Sequence, residues 1–187
     1  MLIRYGSCWI SGSGNASSRL YFLKKCVSMM HPILEIFSKQ RPILPVIRTC
    51  THCNQKNRVT ATHLASTGRC GACKGTLAPI AEPLPVDPVL FDEIMNNASV
   101  PVLVDFWAAW CGPCRSAAPE VARTALDMAG KAIVLKVDTE AHPELAARFR
   151  VSGIPNFVVL SGGRQVFQQA GLVGHEQMEQ WLRSAAA

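Results

Sequence analysis

Two adjoining stretches decide the fold and the chemistry that this sequence predicts: Val100-Pro-Val-Leu-Val-Asp-Phe-Trp107 and Trp110-Cys-Gly-Pro-Cys114. The first is an almost continuous apolar run, which is typical of a central strand covered on both faces. The second places two cysteines two residues apart, just where a helical pattern begins. A helix start favours an anion and so lowers the thiol pKa of Cys111, and Cys114 is near enough to close a disulfide. The motif therefore predicts a redox pair, with half of a zinc site as the alternative.

Four further cysteines form two more pairs, Cys50-Thr-His-Cys53 and Cys70-Gly-Ala-Cys73, with sixteen residues between the pairs. This spacing is typical of a structural zinc site, because two tight turns can aim four sulfurs at one ion. We expect Cys50, Cys53, Cys70 and Cys73 to bind one Zn²⁺, and residues 58–62 between the turns to form a short strand. Two disulfides, or a redox switch that releases zinc, are the alternatives.

The charge is unevenly distributed along the 187 residues, whose formal net charge is +6. Residues 1–45 carry about +5, residues 46–80 carry five basic residues and no acid, and residues 81–187 carry −4. Zinc bound by four thiolates would lower the middle segment to +3. Charge therefore gives only weak support to a nucleic-acid partner, which we do not expect. The apolar runs are too short for a membrane span of about 20 residues.

The chain divides into three parts by composition. The composition of residues 1–45 predicts a disordered or non-native extension, with an organellar transit peptide as the alternative. Residues 46–80 predict a zinc-binding module that depends on metal to fold. Residues 81–187 form the main domain, and 81–88 are its proline-rich linker. From residue 84 the patterns predict the order β-α-β-α-β-α-β-β-α, hence an α/β fold with a central mixed sheet flanked by helices.

Two charged residues lie within apolar strand patterns. Asp105 interrupts the run 100–107, and Lys136 interrupts the next predicted strand, 132–137. A buried carboxylate costs several kcal/mol unless it is paired or protonated. Asp105 is therefore either half-exposed at a strand end or a proton acceptor behind the cysteine pair. Lys136 either meets that acid beneath the cysteines or extends its ammonium to solvent.

Residues 84–187 resemble a thioredoxin over essentially the whole domain. The resemblance is carried by Trp110-Cys-Gly-Pro-Cys114, by Asp105-Phe-Trp-Ala108 before it, by Gly153-Ile-Pro155 and by Gly171. With the four upstream cysteines, residues 48–187 resemble the zinc-containing bacterial thioredoxins of the thioredoxin 2 type. The resemblance implies a thioredoxin fold with a small N-terminal zinc-ribbon-like module, and a cis peptide bond before Pro155.

The resemblance also implies residue roles. Cys111 would be the exposed nucleophile, Cys114 the more buried resolving thiol, and Asp105, helped by Lys136, the acceptor of the Cys114 proton. Pro155 would set the backbone of Ile154 to pair with an extended substrate. The implied substrate groove comprises Trp110, Gly112, Pro113, Ile154, Pro155 and Gly171.

The expected function is that of a protein-disulfide reductase, a thioredoxin-type enzyme acting on oxidised proteins. NADPH would supply electrons indirectly, through a thioredoxin reductase, and no organic cofactor would be bound. We expect a monomer. We expect a cytoplasmic location because the cysteine pattern favours metal binding and catalysis over a secreted disulfide scaffold. The alternatives are a zinc-ribbon binding module on a thioredoxin scaffold, and a periplasmic disulfide oxidant or isomerase.

Overall fold

The computed structural model of the protein describes residues 45–186, so the expectations for the N-terminal extension lie outside the described residues. The chain starts with two small antiparallel hairpins, one formed by β1 (Val46–Thr49) and β2 (Lys56–Val59), the other by β3 (Gly68–Arg69) and β4 (Thr76–Leu77). A 3₁₀ helix, Ala61–His63, lies between the hairpins. The predicted strand at 58–62 is therefore wrong in its bounds, because the chain turns at Thr60 to bury Ala61.

A five-stranded mixed sheet forms the centre of the remaining chain. Its strands are β5 (Leu84–Pro85), β6 (Val102–Trp107), β7 (Ile133–Asp138), β8 (Asn156–Ser161) and β9 (Arg164–Ala170), in the order β5-β7-β6-β8-β9. Strands β5, β6 and β7 are parallel, while β8 and β9 run antiparallel to their neighbours. The helices are α1 (Pro88–Asn97), α2 (Gly112–Asp127), α3 (Pro143–Arg148) and α4 (His175–Ala185). The predicted fold class and the predicted element order from residue 84 are confirmed.

The central strand β6 is buried on both faces, as its sequence predicts. Its residues alternate between two clusters, as the two-residue period of a strand requires. Val102, Val104 and Phe106 pack in a cluster with side chains of α1 and α3. Leu103 packs in the opposite cluster, with side chains of α2 and α4. The sheet therefore holds the residues that follow β6 at the edge of a rigid core.

The four-cysteine segment, residues 46–80, shares its core with the sheet domain. Leu64 is fully buried, Ala61 and Ile80 are nearly so, and all three belong to the cluster that contains Phe91 of α1. The Ile80 N–H donates a hydrogen bond of 2.8 Å to the Leu64 carbonyl. Apolar packing therefore anchors one end of the segment, and the cysteines lie in its two hairpins. Within residues 45–186 no helix has the length and apolar character that crossing a bilayer requires.

Candidate active site and metal centre

The cysteine pair lies where strand β6 gives way to helix α2. Cys111 and Cys114 form a disulfide with an S–S distance of 2.08 Å. Cys111 is the N-cap of α2, and its Sγ accepts a hydrogen bond of 3.1 Å from the backbone N–H of Cys114. An N-cap sulfur faces the unpaired N–H groups at the positive end of the helix. The same donor would stabilise a thiolate on Cys111 after reduction, as the sequence predicts.

The exposure of the two sulfurs differs from the expectation. Cys111 is 2% exposed and Cys114 is 4% exposed, so in this disulfide form Cys111 is not the exposed member of the pair. Both cysteines pack with Ala108 in a small cluster, against which Trp107 and Ile154 also lie. Burial therefore does not identify the nucleophile. The asymmetry between the two sulfurs comes from the N-cap position of Cys111.

The loop before β8 completes the surface around the disulfide. The Ile154–Pro155 peptide bond is cis, as expected. The Pro155 carbonyl accepts a hydrogen bond of 2.9 Å from the N–H of Gly171, which has a φ of +97° that favours glycine. These contacts link the β8 and β9 ends of the sheet beside the cysteines. The predicted groove residue Trp110 is 65% exposed, Pro113 is exposed and Gly112 is half-buried.

Asp105 is buried within strand β6, which leads to the cysteine pair. It is 2% exposed, and its Oδ1 has no hydrogen-bond partner among the described residues. The half-exposed strand end is therefore excluded. Burial raises the pKa of Asp105 to about 6, although the positive charge of Lys136 acts in the opposite direction. Asp105 can thus take up or release a proton near neutral pH, as a proton acceptor must.

Lys136 is register-paired with Asp105 on the neighbouring parallel strand. Its ammonium lies 4.2 Å from the centre of the Trp107 ring, a cation–π contact that the sequence analysis did not predict. None of the ion pairs within 4 Å in residues 45–186 joins Lys136 to Asp105. The lysine therefore acts on the acid through its charge at a distance.

The four upstream cysteines converge on one point, and their ligand atoms all lie within 4.8 Å of one another. The Sγ atoms of Cys50 and Cys73 are 3.7 Å apart, as are those of Cys53 and Cys70. A tetrahedral Zn²⁺ centre with Zn–S bonds of about 2.3 Å places its sulfurs about 3.8 Å apart. The donor set and its spacing therefore fit one zinc ion, which these four thiolates would hold as a closed structural centre.

Each of these pairs lies on the same kind of backbone turn. The residue after the second cysteine, Asn54 in one hairpin and Lys74 in the other, has a φ near +60°. Its N–H donates to the carbonyl of the first cysteine, Cys50 or Cys70, at 2.9 and 3.1 Å. This left-handed residue ends the turn and prevents a helix from forming. The two turns thereby present both sulfurs of each pair to the same centre.

Asn57 is a supporting residue that the sequence does not reveal. Its side-chain oxygen accepts from the N–H of Gly71 at 2.9 Å, and its nitrogen lies 3.6 Å from the Sγ of Cys70. The contact joins the two hairpins beside the cysteines. Together with the backbone N–H of Cys73, which has the largest effect, it lowers the pKa of the Cys70 thiol to about 6. Asn57 lies two positions before Val59 in β2. Nothing in this pattern marks Asn57 in the sequence as a residue that supports the cysteines.

Comparisons with known proteins agree with this geometry. The family model described as Thioredoxin matches residues 82–184. "Thioredoxin C-3" of Corynebacterium nephridii is 37% identical over 137 residues, covering 73% of this chain and 93% of its own length. "Thioredoxin 1" of Chlorobaculum tepidum is 42% identical over 94 residues, covering 50% of this chain and 93% of its own.

Two solved structures that resemble the chain are also thioredoxins. A mutant thioredoxin of Halobacterium salinarum superimposes with a TM-score of 0.53 at 32% identity, over 60% of this chain and 97% of its own. Spinach chloroplast thioredoxin f, at 24% identity and a TM-score of 0.54, shares the fold. With its disulfide at the helix start and the cis proline beside it, the chain belongs to the thioredoxin family and is a thioredoxin-type disulfide oxidoreductase.

Proposed function

We propose that the chain is a protein-disulfide reductase that works through Cys111 and Cys114 and is re-reduced by an NADPH-dependent thioredoxin reductase. The observation that carries the proposal is the disulfide at the start of α2, with the Cys111 sulfur as the helix N-cap. A sulfur in that position is the better thiolate of the two after reduction, because the N–H of Cys114 already points at it.

The exchange has two balanced steps. The Cys111 thiolate attacks one sulfur of a substrate disulfide, forms a mixed disulfide and releases the other substrate sulfur as a thiolate. The Cys114 thiolate then attacks the Cys111 sulfur, which restores the Cys111–Cys114 disulfide and releases the second substrate thiolate. The substrate gains two electrons and the enzyme loses two. Reductase then returns two electrons to the enzyme pair.

The second step needs a thiolate on a buried cysteine. Asp105, with a pKa of about 6, is the group we assign to accept the Cys114 proton, because it is the buried acid on the strand that leads to the pair. Lys136 assists as a positioning charge from the neighbouring strand. The substrate chain would pair with the backbone at Ile154, beside the cis Pro155 and Gly171, and contact Trp110, Gly112 and Pro113.

We further propose that residues 46–80 bind one structural Zn²⁺ and that the chain is of the zinc-containing thioredoxin 2 type, with residues 81–187 as the thioredoxin domain. The sulfur spacing supports the metal. The alignment with "Thioredoxin C-3" supports the relation, because 137 residues exceed the length of 82–187 and so extend into the upstream segment. In this proposal the chain acts as a monomer in the cytoplasm, and its substrates are oxidised proteins.

The test is insulin reduction by the full-length chain, coupled to NADPH and thioredoxin reductase. Cys111→Ser should lower turnover by roughly three orders of magnitude or more, since it removes the nucleophile. Ser116→Ala, an exposed change on the same helix, serves as the matched control and should leave turnover unchanged. Substantial turnover by Cys111→Ser would overturn the mechanism.

The assignment of the two cysteine roles has its own test. Cys114→Ser should retain the attacking thiolate but lose the resolving one, so that mixed disulfides with substrate accumulate. They are measured by mass spectrometry of the non-reduced protein. If instead Cys111→Ser traps substrate and Cys114→Ser does not, the nucleophile is Cys114.

A further inference from the structure

The four-cysteine segment contains a large cleft that the disulfide chemistry does not use. Its volume is about 860 Å³. It is lined by residues of β2, β3 and the chain between them, together with Arg48 of β1, Gln55, residues 71 and 72 and Leu77 of β4. Its charged side chains are all basic: Arg48, Lys56, Arg58 and Arg69, with His63 beside them. We call this the basic cleft. None of its lining residues is acidic, and residues 46–80 contain no acid at all.

The basic groups of the cleft are available for a ligand. Lys56, Arg58 and Arg69 are exposed, and within residues 45–186 none of them takes part in an ion pair within 4 Å. Arg48 differs, because its guanidinium donates to the carbonyls of Ala78 and Pro79. It fixes one wall of the cleft and adds positive charge there. Zinc held by four thiolates adds a net −2, so the segment remains at about +3.

The chemistry of the lining selects among anionic partners. Residues 46–80 contain no Phe, Tyr or Trp, so the cleft lacks the aromatic platforms on which single-stranded nucleic acids stack. It does contain the hydroxyls of Ser66 and Thr67, which suit carboxylates as well as backbone carbonyls, whereas the Thr60 hydroxyl is already hydrogen-bonded to that of Thr62. Arginine forks match carboxylates in a two-point contact. Because arginine forks also match phosphates, it is the lack of aromatic platforms that favours an acidic polypeptide segment over a single-stranded nucleic acid as the partner.

We propose that the basic cleft docks acidic segments of the disulfide proteins on which the chain acts, and so selects among its substrates. The inference rests on the proposed reductase function. Docking in the cleft would make attack at Cys111 an intramolecular event and raise the effective concentration of the substrate disulfide. It would act mainly through kcat/KM and would weaken as salt screens the charges.

The activity test compares two synthetic peptide disulfides that differ only in a tail, a run of glutamates in one and of glutamines in the other. The zinc-loaded, full-length protein should reduce the glutamate peptide with a kcat/KM roughly tenfold higher at low salt. The preference should vanish near 1 M salt, where the Debye length is about 3 Å. Equal kcat/KM values at low salt would overturn the proposal while leaving the reductase function intact.

Two variants locate the effect. Arg58→Gln should lower the preference roughly threefold, and Arg58→Gln with Arg69→Gln should abolish most of it. Arg164→Gln, which removes an exposed arginine from the start of β9, should leave the preference unchanged. The kcat/KM for the glutamine peptide should be the same for all of these proteins. If Arg164→Gln lowers the preference as much as the cleft variants do, the preference depends on net charge, and the proposal of docking in the basic cleft is wrong.

A binding measurement separates docking from catalysis. A fluorescein-labelled glutamate peptide without cysteine should bind the oxidised protein by anisotropy, and Arg58→Gln with Arg69→Gln should weaken that binding about tenfold. If the protein binds the glutamate peptide but fails to reduce insulin, the proposed reductase function is wrong, whereas the proposed binding of acidic segments in the basic cleft is supported. Tighter binding of a single-stranded oligonucleotide of equal charge would overturn the choice of partner.

Discussion

The three Cys-x-x-Cys pairs have the same spacing and two different backbones. After Cys114 the chain continues as helix α2, and the two sulfurs of the pair bond to each other. After Cys53 and Cys73 a left-handed residue ends the turn, and each sulfur instead lies near one of the opposite pair, at 3.7 Å. Within this chain, the backbone of the residue that follows the motif therefore differs between the disulfide pair and the two pairs that we propose to bind zinc.

The polar groups around the helix pair also differ from those around the two hairpin pairs. The helix pair follows strand β6, in which Asp105 is buried with one carboxyl oxygen that has no hydrogen-bond partner among the described residues, and we propose that this acid accepts the Cys114 proton. The hairpin pairs have the amide of Asn57 and backbone N–H groups beside their sulfurs, which suit permanent thiolates. In the proposed mechanism one centre changes its protonation and redox state, and the other keeps both.

Removing one metal ligand should produce the largest effect. Cys50→Ser leaves three thiolates, so zinc should fall from one per chain to near zero after dialysis, measured by atomic emission. The hairpins should then lose protection from hydrogen exchange, because metal binding supplies much of their folding free energy, on the order of 10 kcal/mol. The Cys111–Cys114 pair should still form its disulfide, and its dithiol form, regenerated by the reductase, should still reduce insulin.

His52→Ala is the matched control for this change, because the ring of His52 lies close to Gly75 beside the cysteine cluster. Four thiolates already complete the tetrahedron, so this variant should keep one zinc per chain. Full zinc in Cys50→Ser, or zinc loss in His52→Ala, would show that the ligand set is not the four cysteines. Insulin reduction lost together with zinc would show that the two centres are not independent.

A smaller effect is expected at the buried acid of the redox centre. In the folded protein the pKa of Asp105 is about 6, against 3.8 for an ordinary aspartate. As pH rises from about 4 to 6, the unfolded chain ionises first, so the free energy of unfolding falls. This loss in the free energy of unfolding is complete above pH 6 and amounts to about 3 kcal/mol. Asp105→Asn should remove it and be more stable than the wild type at pH 7 to 8.

The same variant should reduce insulin more slowly, by roughly tenfold or more, because the Cys114 proton has lost its acceptor. Urea unfolding at pH 4 and pH 7.5 gives the stability difference, which should shrink at the lower pH. Glu82→Gln, at an exposed acid, should change neither quantity. A stability difference between wild type and Asp105→Asn that is the same at both pH values would contradict the raised pKa.

The sequence predicted the elements from residue 84, the disulfide partners and the convergence of four cysteines, because each follows from local periodicity or spacing. It could not predict what depends on packing between distant segments. Leu64 and Ile80 join the core of the sheet, although their segment is too small to bury them alone. The low exposure of Cys111 arises from packing with Ala108 and Ile154. The contact of Lys136 with Trp107 depends on strand register, which local patterns do not fix.

That lysine gives the smallest and most discriminating prediction. Lys136→Met removes a positive charge that lowers the pKa of Asp105, so that pKa should rise above 6, as carboxyl ¹³C NMR can measure. Stability should fall by about 0.5–1 kcal/mol with the lost cation–π contact. Lys136→Arg keeps the charge and should restore the pKa, whereas Lys131→Met, at an exposed lysine, should leave it unchanged. If Lys136→Met leaves the titration of Asp105 where it was, the lysine serves only to pack against Trp107, and the redox centre depends on burial alone.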